Sequence, residues 1–149
     1  MSGIVEAETE LAEIVRAART VAVVGMKDER DADAPAYAIP RSMQARGVRV
    51  IPVNPNIETA LGERAFPRLA DVPGRPDVVQ LFRRSEAVSA VADEILALPV
   101  ERRPDVVWMQ SGIRNDAAAA RLAEAGIRVV MDRCFAVYAA RVRPRAVVS

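Results

Sequence analysis

Apolar and polar residues follow two rhythms along this chain, and the rhythms take turns. Mostly apolar runs of strand length, "TVAVVG", "VRVIPVNP", "DVVQLF", "DVVWMQ" and "IRVVMD", of which the first is unbroken, are separated by stretches where apolar residues recur every third or fourth position. An unbroken run predicts a strand buried on both faces, as in a parallel sheet. Leu11, Ile14, Val15 and Ala18 share one face of a helix ahead of the first run. "PAYAIPRSMQAR" predicts a helix closed by Gly47, with Pro35 suited to its first turn. Pro40 removes a backbone donor there, so this helix is expected to start late or to bend. "LGERAFPRLADVPGRP" predicts a loop-rich connection with a short strand. Ser85 is expected to cap a helix whose Val88, Val91, Ala92 and Ile95 share a face. Asn115 is expected to cap "DAAAARLAEA", which Gly126 ends. A short helix over Val137 to Val142 and a polar tail complete the chain. "ARGVRVIP" and "EAGIRVVM" predict the same helix-to-strand turn used twice.

Strands separated by helices of this length require right-handed crossover connections, which build a parallel sheet covered on both sides. The expectation is an α/β, Rossmann-like single domain over residues 1–149, with its core at about 20–142. Its sheet has about five parallel strands, with helices on both faces.

Composition narrows the chemistry. Lys plus Arg is 21 against 20 for Asp plus Glu, a net charge of +1 that argues against nucleic acid or a membrane surface as the main partner. Glu6, Glu8, Glu10 and Glu13 stand where a signal peptide needs basic residues. With Cys134 alone, no internal disulfide can form, and a reducing cytoplasm is the expected location. There is no histidine, so imidazole catalysis and His-ligated metals are excluded, and no metal site is expected.

In such sheets a ligand binds at the carboxyl ends of the strands, which directs attention to "GMKDER", "NPN", "FRRSE", "QSGIRN" and "DRC". Gly25 permits a sharp turn, after which backbone amides can face an anion, with Lys27 and Arg30 as cationic donors. A dinucleotide fingerprint would place glycines at those two positions. The alternative is a surface loop in which Asp28, Glu29, Asp31 and Asp33 offset the cations. Asn54 stands where nicotinamide sites place a carboxylate for the ribose hydroxyls; unlike a carboxylate, it does not repel a ribose phosphate. Asn54 and Pro55 also suit a plain turn. Phe82 could face an adenine, and Arg83 or Arg84 could fork onto phosphate. Gln110 offers both a donor and an acceptor, and Gly112 permits close backbone approach. Ser111 lacks the glycines of a nucleophile elbow and a histidine to activate it, so no catalytic residue is expected. Cys134 reads first as a small buried hydrophobe, with a mixed disulfide to a thiol ligand as the reactive alternative. Trp108 reads as core.

Taken in order, "VAVVGMK", "YAIPRSMQARGVRVIPVNP", "LGERAFPRLADVP", "DVVQLFRRSEAV" and "VWMQSGIRNDAAAARLAEAGIRVVMDRC" resemble the small CoA-binding domain proteins. These are single-domain relatives of the N-terminal domain of the succinyl-CoA synthetase α-subunit. The resemblance runs from about Thr20 to Val142. It implies binding of coenzyme A or an acyl-CoA through the ADP and 3′-phosphate, with the pantetheine arm toward the fourth and fifth strands. By position, Gly25, Met26 and Lys27 would line the first loop, with Arg30 beyond them. Val53, Asn54 and Pro55 would border the adenosine, and Phe82, Arg83 and Arg84 would flank the nucleotide. Gln110, Ser111, Gly112 and Ile113 would meet the diphosphate or arm. Asn56 stands where relatives often carry lysine, so the 3′-phosphate anchor falls to Arg64 or Arg84. The implied role is a CoA-binding module without catalysis of its own. Against it stand an acyl-CoA-dependent enzyme subunit acting with a partner, and an NAD(P)-binding regulatory protein. The expected ligand is a small nucleotide, and a protein partner or a homo-oligomer is compatible with it.

Overall fold

Each apolar run forms a strand in the computed structural model, which describes residues 3–145. The strands are β1 (Thr20–Val24), β2 (Arg49–Val53), a two-residue pair β3 (Thr59–Ala60) and β4 (Glu63–Arg64), β5 (Val78–Leu81), β6 (Val106–Met109) and β7 (Arg128–Val130). The helices are α1 (Glu8–Ala17), α2 (Pro35–Gln44), α3 (Val88–Ala97), α4 (Asp116–Glu124) and α5 (Phe135–Val142). Five strands make one parallel sheet in the order β2-β1-β5-β6-β7, and β3 pairs with β4 antiparallel beside it. The expected single-domain parallel α/β architecture is the observed one.

Alternation along the strands divides the core. Ala22, Val24, Val79, Leu81, Val107 and Met109 face the layer formed by α3 and α4. Val21, Val23, Val78, Val106 and Trp108 face α1, α2 and α5. Trp108 is fully buried, meets Phe135 and Tyr138 edge to face, and donates from Nε1 to the Arg133 carbonyl (2.8 Å). Its reading as core is correct.

The outer edges are covered. Val5 N–H donates to Val129 O and Val129 N–H to Gly3 O, both 2.8 Å, which closes the β7 side. On the β2 side, Phe66 N–H donates to Pro52 O at 2.9 Å. In a parallel strand a residue's N–H and C=O point the same way, so Pro52 lacks only an outward-facing donor.

The two helix-to-strand turns are the same device. Val48 N–H reaches Met43 O and Ile127 N–H reaches Leu122 O, six-to-one closures at 3.2 and 3.1 Å. Three expectations need correction. Helix α2 begins at Pro35 and runs through Pro40, so it does not start late. The last helix starts at Phe135, two residues before Val137. The polar tail begins as an anchor: the Arg143 guanidinium donates to the carbonyls of Val15, Arg16, Ala18 and Arg46 at 2.8–3.1 Å, tying the ends of α1 and α2 to α5. Residues 146–149 of that tail lie outside the described residues. Among the described residues, no helix is long and apolar enough to cross a membrane.

Candidate functional site

Strand order reverses between β1 and β5, so the loops leaving their carboxyl ends face one another across the switch point. Gly25 closes β1 with φ +85°, and a Cβ there would lie 2.3 Å from the Phe82 carbonyl oxygen. The glycine is therefore required by the backbone at the end of β5, whatever else approaches it. Its N–H donates to Val53 O (2.9 Å), so three strand ends meet at this residue.

The loop after Gly25 is held by its own groups. Lys27 N–H donates to the Ala36 carbonyl at 3.1 Å. In an uninterrupted helix that carbonyl would receive the N–H of residue 40, and Pro40 has none. The proline thus frees a carbonyl that fastens the loop. The Lys27 amide is accordingly not available to an anion, contrary to expectation. Asp28 accepts the Arg30 amide (3.0 Å) and, through both oxygens, the Arg30 guanidinium (3.0–3.1 Å). The Arg30 side chain is the first cause holding the Asp28 carboxyl below its ordinary range. Glu29 accepts Leu61 N–H (2.9 Å) and the Tyr37 hydroxyl (3.1 Å). The Leu61 amide is the leading cause of its lowered pKa. The link to Leu61 is therefore stabilising above the usual Glu range and is lost as pH falls through the lowered value. Tyr37 moves the opposite way, raised first by desolvation and then by Glu29. Of the loop's two cations, Arg30 is paired and Lys27 is exposed, with no ion pair among the described residues.

Asn54 joins two loops. Its Nδ2 donates to Met26 O (2.8 Å), its Oδ1 accepts Asn56 N–H (2.8 Å), and its own N–H reaches Phe66 O (2.9 Å). The turn reading therefore holds for Asn54 as well as Pro55. Asn54→Ala is expected to cost about 1–3 kcal/mol, the usual range for groups left unpaired. Urea denaturation checks it, and a loss below about 0.5 kcal/mol would show the tie to be idle.

Phe82 is half-buried against the α1–α2–α5 layer, and Arg83 and Arg84 are exposed. No hydrogen bond or ion pair holds either guanidinium among the described residues. Ser85 does not cap α3, which follows a 3-10 turn over Ser85–Ala87. Its Oγ accepts Arg114 N–H (3.0 Å) and its carbonyl accepts Asn115 Nδ2 (2.9 Å), so it latches the loops after β5 and β6 together. Asn115 does cap α4, accepting Ala118 N–H at 2.9 Å.

The loop after β6 divides by depth. Gln110 is buried, and its Oε1 accepts Gln80 Nε2 (2.9 Å) and Phe135 N–H (3.3 Å), which places it beneath the rim. Ser111 and Gly112 are exposed, and Ile113 packs on the α3–α4 layer. Gly112 N–H donates to Asp132 Oδ1 (2.7 Å), a residue at φ +55° that joins the loops after β6 and β7. Cys134 is half-buried at the start of α5. Arg64 stacks over Phe66 and lines a hollow with Thr20 and Arg49, which start β1 and β2. That places it along the β2 edge, outside the loops after β1 and β5, where Arg84 stands. Sequence reasoning missed Gln80 and the loop-tying roles of Asp132 and Glu29. A polar residue inside "VVQL" is a signal for the first, whereas nothing local marks the other two.

Residues 19–140 match the family described as CoA binding domain. The chain belongs to that family. Its membership carries coenzyme A binding in general, as the resemblance implied. Bacillus subtilis (strain 168) has a relative, uncharacterized protein YneT, 38% identical over 130 residues that span 87% of this chain and 92% of that one. The solved structure of cell-free ID.343 from Thermus thermophilus superposes with a TM-score of 0.83 at 37% identity, covering 92% of this chain and 99% of that one. A dinucleotide-forming acetyl-coenzyme A synthetase 1 from Candidatus Korarchaeum cryptofilum, solved with phosphate and ADP, shares the fold at 20% identity and TM-score 0.62. The match covers 93% of this CoA-binding domain chain and 32% of the synthetase.

Proposed function

We propose that the rim between β1, β2 and β5 binds coenzyme A or an acyl-CoA through its ADP and 3′-phosphate, and that the domain catalyses no reaction of its own. One observation carries this reading. Lys27, Arg83 and Arg84 are exposed at the ends of β1 and β5 without a partner among the described residues. Meanwhile Asp28 and Glu29, the two carboxylates that follow Lys27, are occupied by Arg30, Leu61 and Tyr37. The switch point therefore presents cations without an ion-pair partner, which suit a ligand with one diphosphate and a ribose phosphate. Asn54 adds no negative charge at the end of β2, where a nicotinamide site would have a carboxylate. The side chains of the site supply no imidazole base, and Ser111 is exposed without an activating partner among the described residues.

Mass spectrometry of ligands released from the purified, denatured protein is expected to find CoA or acyl-CoA at near-stoichiometric amounts. Incubation with acetyl-CoA and succinyl-CoA should leave both unchanged. NAD(P) in place of CoA would overturn the binding mode, and thioester turnover would overturn the non-catalytic role.

A further inference from the structure

The connection from β2 to β5, residues 54–77, contains the β3–β4 pair and a 3-10 turn over Leu69–Asp71 but no α-helix. The α3–α4 side of β2 is therefore covered by loop, and a hollow of about 460 Å³ remains there. That size is in the range that holds small molecules. Part of its wall is apolar: Ile51, which keeps 9% of its surface exposed, with Phe66, Pro73 and Pro76. Thr20 and Arg49 place one end of it at the amino ends of β1 and β2, and Phe66, which pairs with Val53, closes the other end along the β2 edge.

Charge around the hollow is unbalanced. Arg75 is paired with Asp105, and in the adjoining hollow Arg68 is paired with Asp71. Arg49 has no ion pair or side-chain hydrogen bond among the described residues, and Arg64 has only the face of Phe66, 5.3 Å from its ring centre. Glu63 is the one carboxylate of the lining, so two cations face one anion. The wall is also held from behind, since Arg102 donates to the carbonyls of Ala70 (3.1 Å) and Val72 (2.5 Å). A hollow shaped before binding loses less to ordering when it is filled.

We infer that this hollow is a second ligand site, taking a small anion joined to a flat apolar body, such as an aryl phosphate, with Arg49 and Arg64 on the anion and Phe66 beside the ring. Guanidinium forks match phosphate oxygens, and the apolar part of the wall matches a ring, whereas a bare anion would leave it uncovered. The hollow borders the rim only through the Phe66 carbonyl, which holds the Asn54 amide, and its side chains are not those of Lys27, Arg83 and Arg84, so the two readings are tested apart.

Phenyl phosphate titrated into the ¹⁵N-labelled protein tests it, with inorganic phosphate alongside and each series repeated in excess CoA. Saturable shifts are expected at the amides of Ile51, Phe66 and Gly74, unchanged by CoA. Inorganic phosphate should bind at least tenfold more weakly, and the Arg49→Ala/Arg64→Ala double variant should weaken phenyl phosphate at least tenfold. Both arginines are exposed, so an unchanged spectrum elsewhere will report an intact fold. Shifts that fail to saturate, that persist in the double variant, or that appear only at the rim and vanish with CoA would overturn the proposal. Equal affinity for inorganic phosphate would overturn the flat apolar body.

Discussion

Gly25→Ala is expected to lower the unfolding free energy by about 3 kcal/mol or more, a large share of the roughly 5–15 kcal/mol typical of a domain. Two effects add. An L-residue at φ +85° carries about 1–2 kcal/mol of backbone strain. The new Cβ would also sit 2.3 Å from a carbonyl oxygen of the neighbouring strand, and that oxygen is backbone, not the end of a flexible side chain. The ends of β1 and β5 must then separate, which disturbs the switch point itself. Gly112→Ala is the natural control: its φ is +83°, but a Cβ there meets nothing within 4 Å, so only the strain of about 1–2 kcal/mol should appear. Urea denaturation of the two variants would measure the difference. Equal losses would mean that the Phe82 contact relaxes freely.

Removing the rim cations should have the largest effect on affinity. Arg83 and Arg84 touch no other described side chain through a hydrogen bond or ion pair, so Arg83→Ala and Arg84→Ala should leave stability within about 0.5 kcal/mol. A hydrogen bond to a charged group is worth about 1.5–3 kcal/mol, so each loss should weaken CoA binding roughly tenfold to a hundredfold. The two variants should differ in kind. Arg84→Ala should abolish the preference for CoA over dephospho-CoA, whereas Arg83→Ala should weaken both ligands together. Titration calorimetry at fixed salt distinguishes these outcomes. Unchanged affinity in both variants would remove the phosphates from this end of β5.

The strands were legible because the pattern that reveals them is the pattern that buries them: β1, β5 and β6 are apolar almost throughout, Gln80 being the polar exception inside β5, and face helices on both sides. The two glycine junctions were legible for the same reason, since a local turn is written in local residues. Pro40 shows where this stops. Its effect on α2 looked disruptive, yet the carbonyl it releases is used by Lys27, 13 positions earlier in the chain, a partner no local pattern reveals. Ser85 has a cap's chemistry and a cap's position, but the loop after β6 reaches it first. Arg143 and the Gln80–Gln110 pair are likewise set by which elements the fold brings together. The candidate site was found by topology, which says where loops gather. How its charges are divided depended on individual partners: Arg30 is held by Asp28, while Lys27, Arg83 and Arg84 have no ion pair among the described residues.

Titration of the wild-type protein with CoA and with dephospho-CoA, under identical salt, is the most direct test. The ribose 3′-phosphate should tighten binding at least tenfold, and NAD should bind more weakly than either. Equal affinity for the two coenzymes, or a preference for NAD, would contradict the assignment of the rim to a ligand bearing that phosphate.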